Sequence, residues 1–242
     1  MCYNRLTENP KCNEESEMTA RYVTSTHEIK DAYKKVQIDA KEARVKIEVS
    51  SGGTSVVFFE RKRRPYECFV REDTLTIVPK KARWYHFLRS DIDRSEIKLS
   101  LPESLLEALS VKVNVGSVDL SSVACSGRIE IKANTGKVTA CGVSCSSFDS
   151  QGNTGSITLQ ELAAEDSICV KRNTGRVTVN DCHAKRYRIQ TNTGKVCGKL
   201  PANTVFAVKT NTGRVELPEI AIGDAVGAIC EVKTNTGSVR FE

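Results

Sequence analysis

Eight cations stand at fixed distances from a recurrent asparagine: Lys132, Lys171, Lys209 and Lys233 two residues before it, and Lys137, Arg176, Lys195 and Arg214 three after it. Lysine and arginine held in such a frame do not suggest acid–base work. They suggest a line of positive charge, which would attract an anionic polymer or an envelope surface if the frame becomes straight in space. The competing reading is solubility. Cations keep an exposed sheet wet, and Asp119, Glu130 and Glu216 soften their repulsion. On sequence alone the solubility reading is favoured. Two denser clusters, Arg61-Lys62-Arg63-Arg64 and Lys80-Lys81-Ala82-Arg83, carry the same ambiguity. The second adjoins Trp84, Tyr85 and Phe87, a basic–aromatic mixture suited to nucleic acid or lipid head groups, or simply a loop with an apolar anchor.

Residues for catalysis are sparse. His27, His86 and His183 stand in no triad or metalloprotease context, and no nucleophile elbow, phosphate loop or dinucleotide fingerprint is present. Asp149, Glu161, Asp166, Asp181 and Glu216 scatter across the repeat register. Asp91 and Asp93 form one carboxylate pair, which Arg89 and Arg94 could neutralise. That pair keeps a carbohydrate-active lyase or glycosidase as the alternative to a non-catalytic module. No catalytic residue, metal or cofactor is expected, and calcium-binding nonapeptides are absent. Of ten cysteines, Cys125 and Cys145 hold equivalent places in adjacent repeats, within reach of a disulfide if the repeats stack. Cys141 and Cys145 make half a metal site with no second half.

The element that must position the cations is a repeat. Asn-Thr-Gly begins at Asn134, Asn153, Asn173, Asn192, Asn211 and Asn235, in steps of 19, 20, 19, 19 and 24 residues, and Asn114-Val115-Gly116 is a decayed copy upstream. Apolar residues two apart precede each turn, as at Ile129 and Ile131, and follow it, as at Val138 and Ala140. That period of two marks strand faces, and no window shows helical spacing. Gly136, Gly155, Gly175, Gly194, Gly213 and Gly237 supply the backbone freedom that the turn needs. A fixed period means stacked copies, so the chain reads as an all-β, single-domain β-helix with coils of about 20 residues rising about 4.8 Å each. Each corner should sit on its predecessor, with the Asn amides bonded in a ladder. Leucine-rich repeats share the period, but here Gly stands where that repeat needs an apolar residue. Thr191, Thr210 and Thr234 begin T-x-T triplets like those of ice-binding helices, yet each runs into a turn glycine.

The chain divides into a flexible tail over 1–25, an irregular strand-rich or capping section over 26–110, and regular coils over 111–242. A short helix is expected from Thr26 to Lys35 and a helical turn from Pro102 to Ala108. Capping matters because a solenoid exposes sheet edges at its ends.

Three passages together resemble the bacterial putative-adhesin family, a β-solenoid domain of unknown function. They are Leu75-Thr76-Ile77-Val78-Pro79, the run Ile97–Leu101 feeding Leu109–Val113, and the serial Asn-Thr-Gly units. The resemblance spans about 36–242. It implies adhesion and brings no catalytic residues. The partner it leaves open is an anionic polymer, an envelope component or a protein, with no sequence-specific nucleic acid. The charge, 36 basic against 30 acidic residues and net +6, is too mild for a dedicated nucleic-acid binder. No apolar run is long enough to span a membrane. The absence of a leader and the free cysteines point to the cytoplasm, with envelope association as the alternative if upstream residues are missing.

Overall fold

The computed structural model describes residues 22–61, 66–80, 95–218 and 227–242. Among these residues every regular element is a strand. The N-terminal part supplies β1 (Tyr22–Ile29), β2 (Lys35–Glu42), β3 (Arg44–Val49), β4 (Thr54–Arg61), β5 (Tyr66–Arg71), β6 (Thr74–Pro79) and β7 (Glu96–Leu101). Long and short strands then alternate. β8 (Ala108–Val115) leads to β9 (Val118–Ser121), β10 (Arg128–Thr135) to β11 (Val138–Cys141), and β12 (Ser144–Thr154) to β13 (Ile157–Gln160). β14 (Ala163–Thr174) leads to β15 (Val177–Asn180), and β16 (Arg186–Thr193) to β17 (Val196–Lys199). The series closes with β18 (Thr204–Thr212), β19 (Val215–Glu216), β20 (Ala228–Thr236) and β21 (Val239–Phe241).

Long strands line up in a 10-stranded sheet, ordered β18-β20-β16-β14-β12-β10-β8-β2-β6-β5. Short strands form an 11-stranded sheet, ordered β1-β4-β7-β3-β9-β11-β13-β15-β17-β21-β19. One long and one short strand make one coil around a shared core, which is the β-solenoid that the period predicted. Ile129, Ile131, Val138 and Ala140 point inward and are fully buried, as are their counterparts Ile157, Val170, Val177 and Ile189. Each large aliphatic side chain withdrawn from water in this way contributes roughly 1.5–3 kcal/mol.

The Asn-Thr-Gly corner stacks because glycine lets the coils touch. Gly136 has φ 145°, and a Cβ there would lie 1.5 Å from the Gly116 carbonyl oxygen. Neighbouring corners approach one another in the order Ala43, Gly116, Gly136, Gly155, Gly175, Gly194, Gly237, Gly213. The column is therefore single, but its last two members are exchanged relative to the chain. This corrects the expectation that every corner sits on its predecessor. β20 lies between β16 and β18, so the final coil is wedged inside the one before it. The long step of 24 residues to Asn235 supplies the chain needed to pass back. The exchange gives the terminal coil parallel partners on both sides.

The other end repeats the arrangement. β2 lies between β8 and β6, so the first coil is also tucked one layer in. Beyond it the pairing turns antiparallel, with β5 on β6, β4 on β7 and β1 on β4. The helix expected over 26–35 is absent. His27 and Thr26 pair with Val56 and Val57 in a ladder that a helix would have left open. Of the expected tail over 1–25, residues 1–21 lie outside the described residues, and Tyr22 to Ser25 belong to β1. No helical turn forms over 102–108 either. Leu106 bridges to Cys125, because this segment is the return path of a coil and packs beside the next return.

Return paths form a narrow third side. Ser122, Gly142, Glu161 and Asp181 all have positive φ, between 50° and 63°. Successive amides there donate to the next coil, as from Gly142 to the Gln160 carbonyl and from Glu161 to the Asn180 carbonyl. This second corner lies eight residues after each Asn. Its variable residue types hide it in the sequence.

Candidate anion-binding face

Alternation along each long strand sends every second side chain outward. In-register pairing then lines up equivalent positions across the ten-stranded sheet. The row two residues before the corner reads Asp39, Lys112, Lys132, Gln151, Lys171, Gln190, Lys233, Lys209. All four cations expected there share this row, interrupted by two glutamines. Lys112 was missed, although it stands two residues before Asn114 in the decayed copy.

A second row runs just past the corner. The carbonyls of Lys137, Ser156, Arg176, Lys195, Ser238 and Arg214 accept in that order from the amides of Val118, Val138, Ile157, Val177, Val196 and Val239, so the four cations line up with Ser156 and Ser238 as the two gaps. These four cations are exposed. The Asn column runs between the two cationic rows.

Ion pairing separates the cations. Lys132 Nζ lies 3.0 Å from Glu130, and Arg214 Nε lies 2.8 Å from Glu216. Among the described residues, Lys112, Lys137, Lys171, Arg176, Lys195, Lys209 and Lys233 have no carboxylate within ion-pair distance. The acids of the neighbouring row are engaged elsewhere. Asp149 lies 3.2 Å from Arg128, and Glu231 lies 3.4 Å from Arg188.

The Asn amides form pairs, not an unbroken ladder. Asn134 Nδ2 donates to Asn114 Oδ1 and Asn173 Nδ2 to Asn153 Oδ1, both at 3.0 Å, and Asn211 donates to Asn235 at 2.6 Å. Asn192 makes no such bond. Between Asn134 and Asn153 the break has a visible cause. Backbone pairing of β10 with β12 skips Ala133–Asn134 against Gly152–Asn153. The Ala133 carbonyl accepts instead from Arg172 Nη1, whose guanidinium lies where a Gly152 Cβ would sit. Arg172 is only 3% exposed, and its Nε and Nη2 have no partner. Burial pulls its pKa down to about 10.

Above this break, on the outer face, a groove of about 510 Å³ runs between the lysine row and the Asn row. Lys41, Lys112, Lys132 and Gln151 line it together with Asn134 and Asn153. The T-x-T triplets contribute no outer ice-like face. Thr191 and Thr234 are buried, and Thr191 Oγ1 donates to Thr234 Oγ1 at 3.0 Å inside the coil.

Remaining chemistry is muted. Cys125 and Cys145 are free thiols on adjacent coils, both buried. Burial pushes the Cys145 thiol up to about 12, so no reactive thiolate forms near neutral pH. Cys230 replaces a core aliphatic and is raised by burial in the same way. No grouping of three His, Cys, Asp or Glu suited to a metal occurs among the described residues. Glu161 and Asp181 hold the second corner, and Asp166 pairs with Lys185 at 3.3 Å. The pair Asp91 and Asp93, the cluster around Trp84, and residues 62–64 lie outside the described residues. Among the described residues no helix is long and apolar enough to cross a membrane.

Comparison with known proteins gives a family. The sequence profile of the Toastrack DUF4097 family matches residues 33–242. A solved putative adhesin from Bacteroides fragilis is 12% identical and covers 92% of this chain and 97% of its own, with a TM-score of 0.48. One from Parabacteroides distasonis is 14% identical with the same coverages and TM-score. A putative lipid binding protein from Parabacteroides distasonis is 17% identical, covers 90% and 96%, and has a TM-score of 0.35. No curated protein matches the chain.

Proposed function

The chain belongs to the Toastrack DUF4097 family, and we propose that it is a non-catalytic binding module. Its contact surface is the outer face of the ten-stranded sheet, and its partner is an anionic polymer or envelope surface. One observation carries this reading. Lys112, Lys132, Lys171, Lys233 and Lys209 share one in-register row, and among the described residues only Lys132 has a carboxylate partner. Cations one or two strands apart, about 5 or about 10 Å, sum into a linear field. The engagement of Asp149, Asp166 and Glu216 by arginine and lysine supports the non-catalytic side of the proposal.

The working compartment belongs to the proposal. Four described thiols, Cys125, Cys145, Cys182 and Cys230, are buried core fillers. Burial accounts for the free state of these four, while Cys68, Cys141, Cys169 and Cys197 are partly exposed free thiols. An envelope location suits a polymer-binding face better.

Retention on immobilised heparin and on vesicles containing anionic lipid, measured against ionic strength, tests the proposal. Binding should weaken steeply with salt. Reversal of Lys132, Lys171, Lys209 and Lys233 to Glu should abolish it. Retention unchanged by that reversal ends the reading.

A further inference from the structure

The groove above the broken amide pair is more selective than a field of charge. We propose that it takes an acidic polysaccharide, specifically a linear chain of uronate sugars laid along the solenoid axis. This rests on the anion-binding reading above and names the ligand class for the same face.

The two walls differ in chemistry. One is cationic, with Lys112 and Lys132 adjacent in register, and Lys41 stands across from it at the head of the Asn column, level with Asn114. The other is the Asn column. Asn134 spends its Nδ2 on Asn114, and Asn153 spends its Oδ1 on Asn173. An acceptor, Asn134 Oδ1, and a donor, Asn153 Nδ2, are therefore left unbonded on either side of the break. Hydroxyl groups both give and accept hydrogen bonds, so they suit such a mixed pair. A carboxylate suits the lysines opposite. A uronate sugar carries both on one ring.

Repeat length agrees with this choice. Equivalent side chains recur about every 4.8 Å along the axis. A pyranose ring joined through opposite positions advances by a comparable amount, so each sugar meets one coil. Gln151, next in the lysine row, continues the wall with an amide where a hydroxyl can replace the carboxylate.

Other anionic polymers fit less well. Among the described residues no aromatic side chain lines the groove, so these residues offer no stacking platform for bases. Its apolar lining is Ala40 and Val113, both 2% exposed, so acyl chains find nothing to enter. Asp39 at the margin repels uniformly charged chains and tolerates a polymer with hydroxyls between its charges.

Titration calorimetry on the full chain at low salt tests this with three probes. They are polygalacturonate, its methyl ester, and polyglutamate of matched length. Polygalacturonate should bind at least about tenfold tighter than polyglutamate. The methyl ester should bind weakly, because it keeps the hydroxyls and lacks the charge. The double substitution Asn134→Ala, Asn153→Ala should bring polygalacturonate down to the polyglutamate level and leave polyglutamate unchanged. Equal binding of the two acidic polymers by the unmodified chain overturns the saccharide assignment and leaves the anion-binding reading standing. Binding of neither acidic polymer overturns both.

Discussion

The two broad faces of the solenoid share one core and one set of corners, yet their outer surfaces differ. On the ten-stranded sheet the outward row carries Lys112, Lys132, Lys171, Lys233 and Lys209. On the eleven-stranded sheet the central outward row is Asp119, Thr139, Thr158, Thr178, Cys197, followed by Ser121, Cys141, Gln160 and Asn180 one step along. No cation occurs among the outward residues of β9, β11, β13 and β15. Both faces are solvent-facing and parallel, and both grow from the same repeats. If lysines were needed merely to keep such a sheet wet, the second face would need them too. Over these four strands it is a surface of threonine, serine, cysteine and amides with one acid, Asp119; the cations of the same sheet stand nearer its ends, where Lys46, Lys98 and Arg240 are ion-paired and Lys199, among the described residues, is not. Over the middle coils the cations are therefore a property of one face, not a requirement of the architecture, and the solubility reading loses support there.

The largest effect should come from the corner that joins the two faces. Gly136→Ala places a methyl group 1.5 Å from a backbone oxygen, at a φ that side chains rarely adopt. Neither coil can yield without breaking a ladder. A loss of about 4 kcal/mol or more is expected in denaturant unfolding. Asn134→Ala, two residues away, removes one exposed hydrogen bond and should cost only about 0.5–1 kcal/mol. Similar losses from the two substitutions would mean that the column is held by amides and not by backbone contact.

Legibility followed repetition. Ile129 and Ile131 revealed their strand because Ile168, Val170 and Ile189 recur in the same frame, and the glycine corner was visible for the same reason. The placement of Lys132, Lys171, Lys209 and Lys233 on one outward row was legible, since alternation from a buried neighbour fixes which side faces out, whereas Lys112 escaped because its repeat has lost the Asn-Thr-Gly triplet. What stayed hidden does not repeat. The second corner at Ser122, Gly142, Glu161 and Asp181 needs only positive φ, and four residue types meet that need in four different ways. The exchanged final coil left one trace, the longer step before Asn235, which by itself specifies an insertion and not its path. Strand β1 straddles the expected tail over 1–25 and the expected helix over Thr26–Lys35, because neither segment shows a partner in sequence. Its partner, β4, is found only in space.

A buried arginine also went unread. The position before each Asn faces inward, and it holds Val113, Ala133, Gly152, Arg172, Thr191, Thr210 and Thr234. This mixture looks like an outer position. The inner side of the eleven-stranded sheet is apolar over the regular coils, lined by residues such as Val118, Leu120, Ile157 and Leu159; its buried polar residues, Thr54 and Glu60, stand on β4 near the N-terminal edge. Arg172→Met should sharpen that contrast. It removes a charge held in a low-dielectric core and leaves the Ala133 carbonyl unpaired, two terms of similar size with the first larger. A net gain of about 1 kcal/mol is expected near neutral pH. The sign with pH is fixed by the lowered pKa. Below about pH 10 both the folded and the unfolded chain hold the proton, so the full cost of burying the charge is present. Above it the unfolded chain binds more protons, and the native arginine regains stability as pH rises. The advantage of Met should therefore be flat below pH 10 and shrink above it. An advantage that grows with alkalinity would mean that the guanidinium is not desolvated as described.

The contrast between faces meets its most direct test in charge-matched variants. Lys132→Gln, Lys171→Gln and Lys233→Gln lower the net charge by three on one face. Gln160→Glu, Asn180→Asp and Lys199→Gln do so on the other, where the three positions are adjacent in register. If only total charge mattered, heparin retention would fall equally in both. If the lysine row is the contact surface, the first variant should lose about tenfold in affinity at moderate salt and show a flatter salt dependence. The second should lose about twofold, because its changes lie across the core and are screened. Equal losses would reduce the row to a share of the net charge, whereas the expected inequality makes its straightness, set by in-register coils, the property that binds.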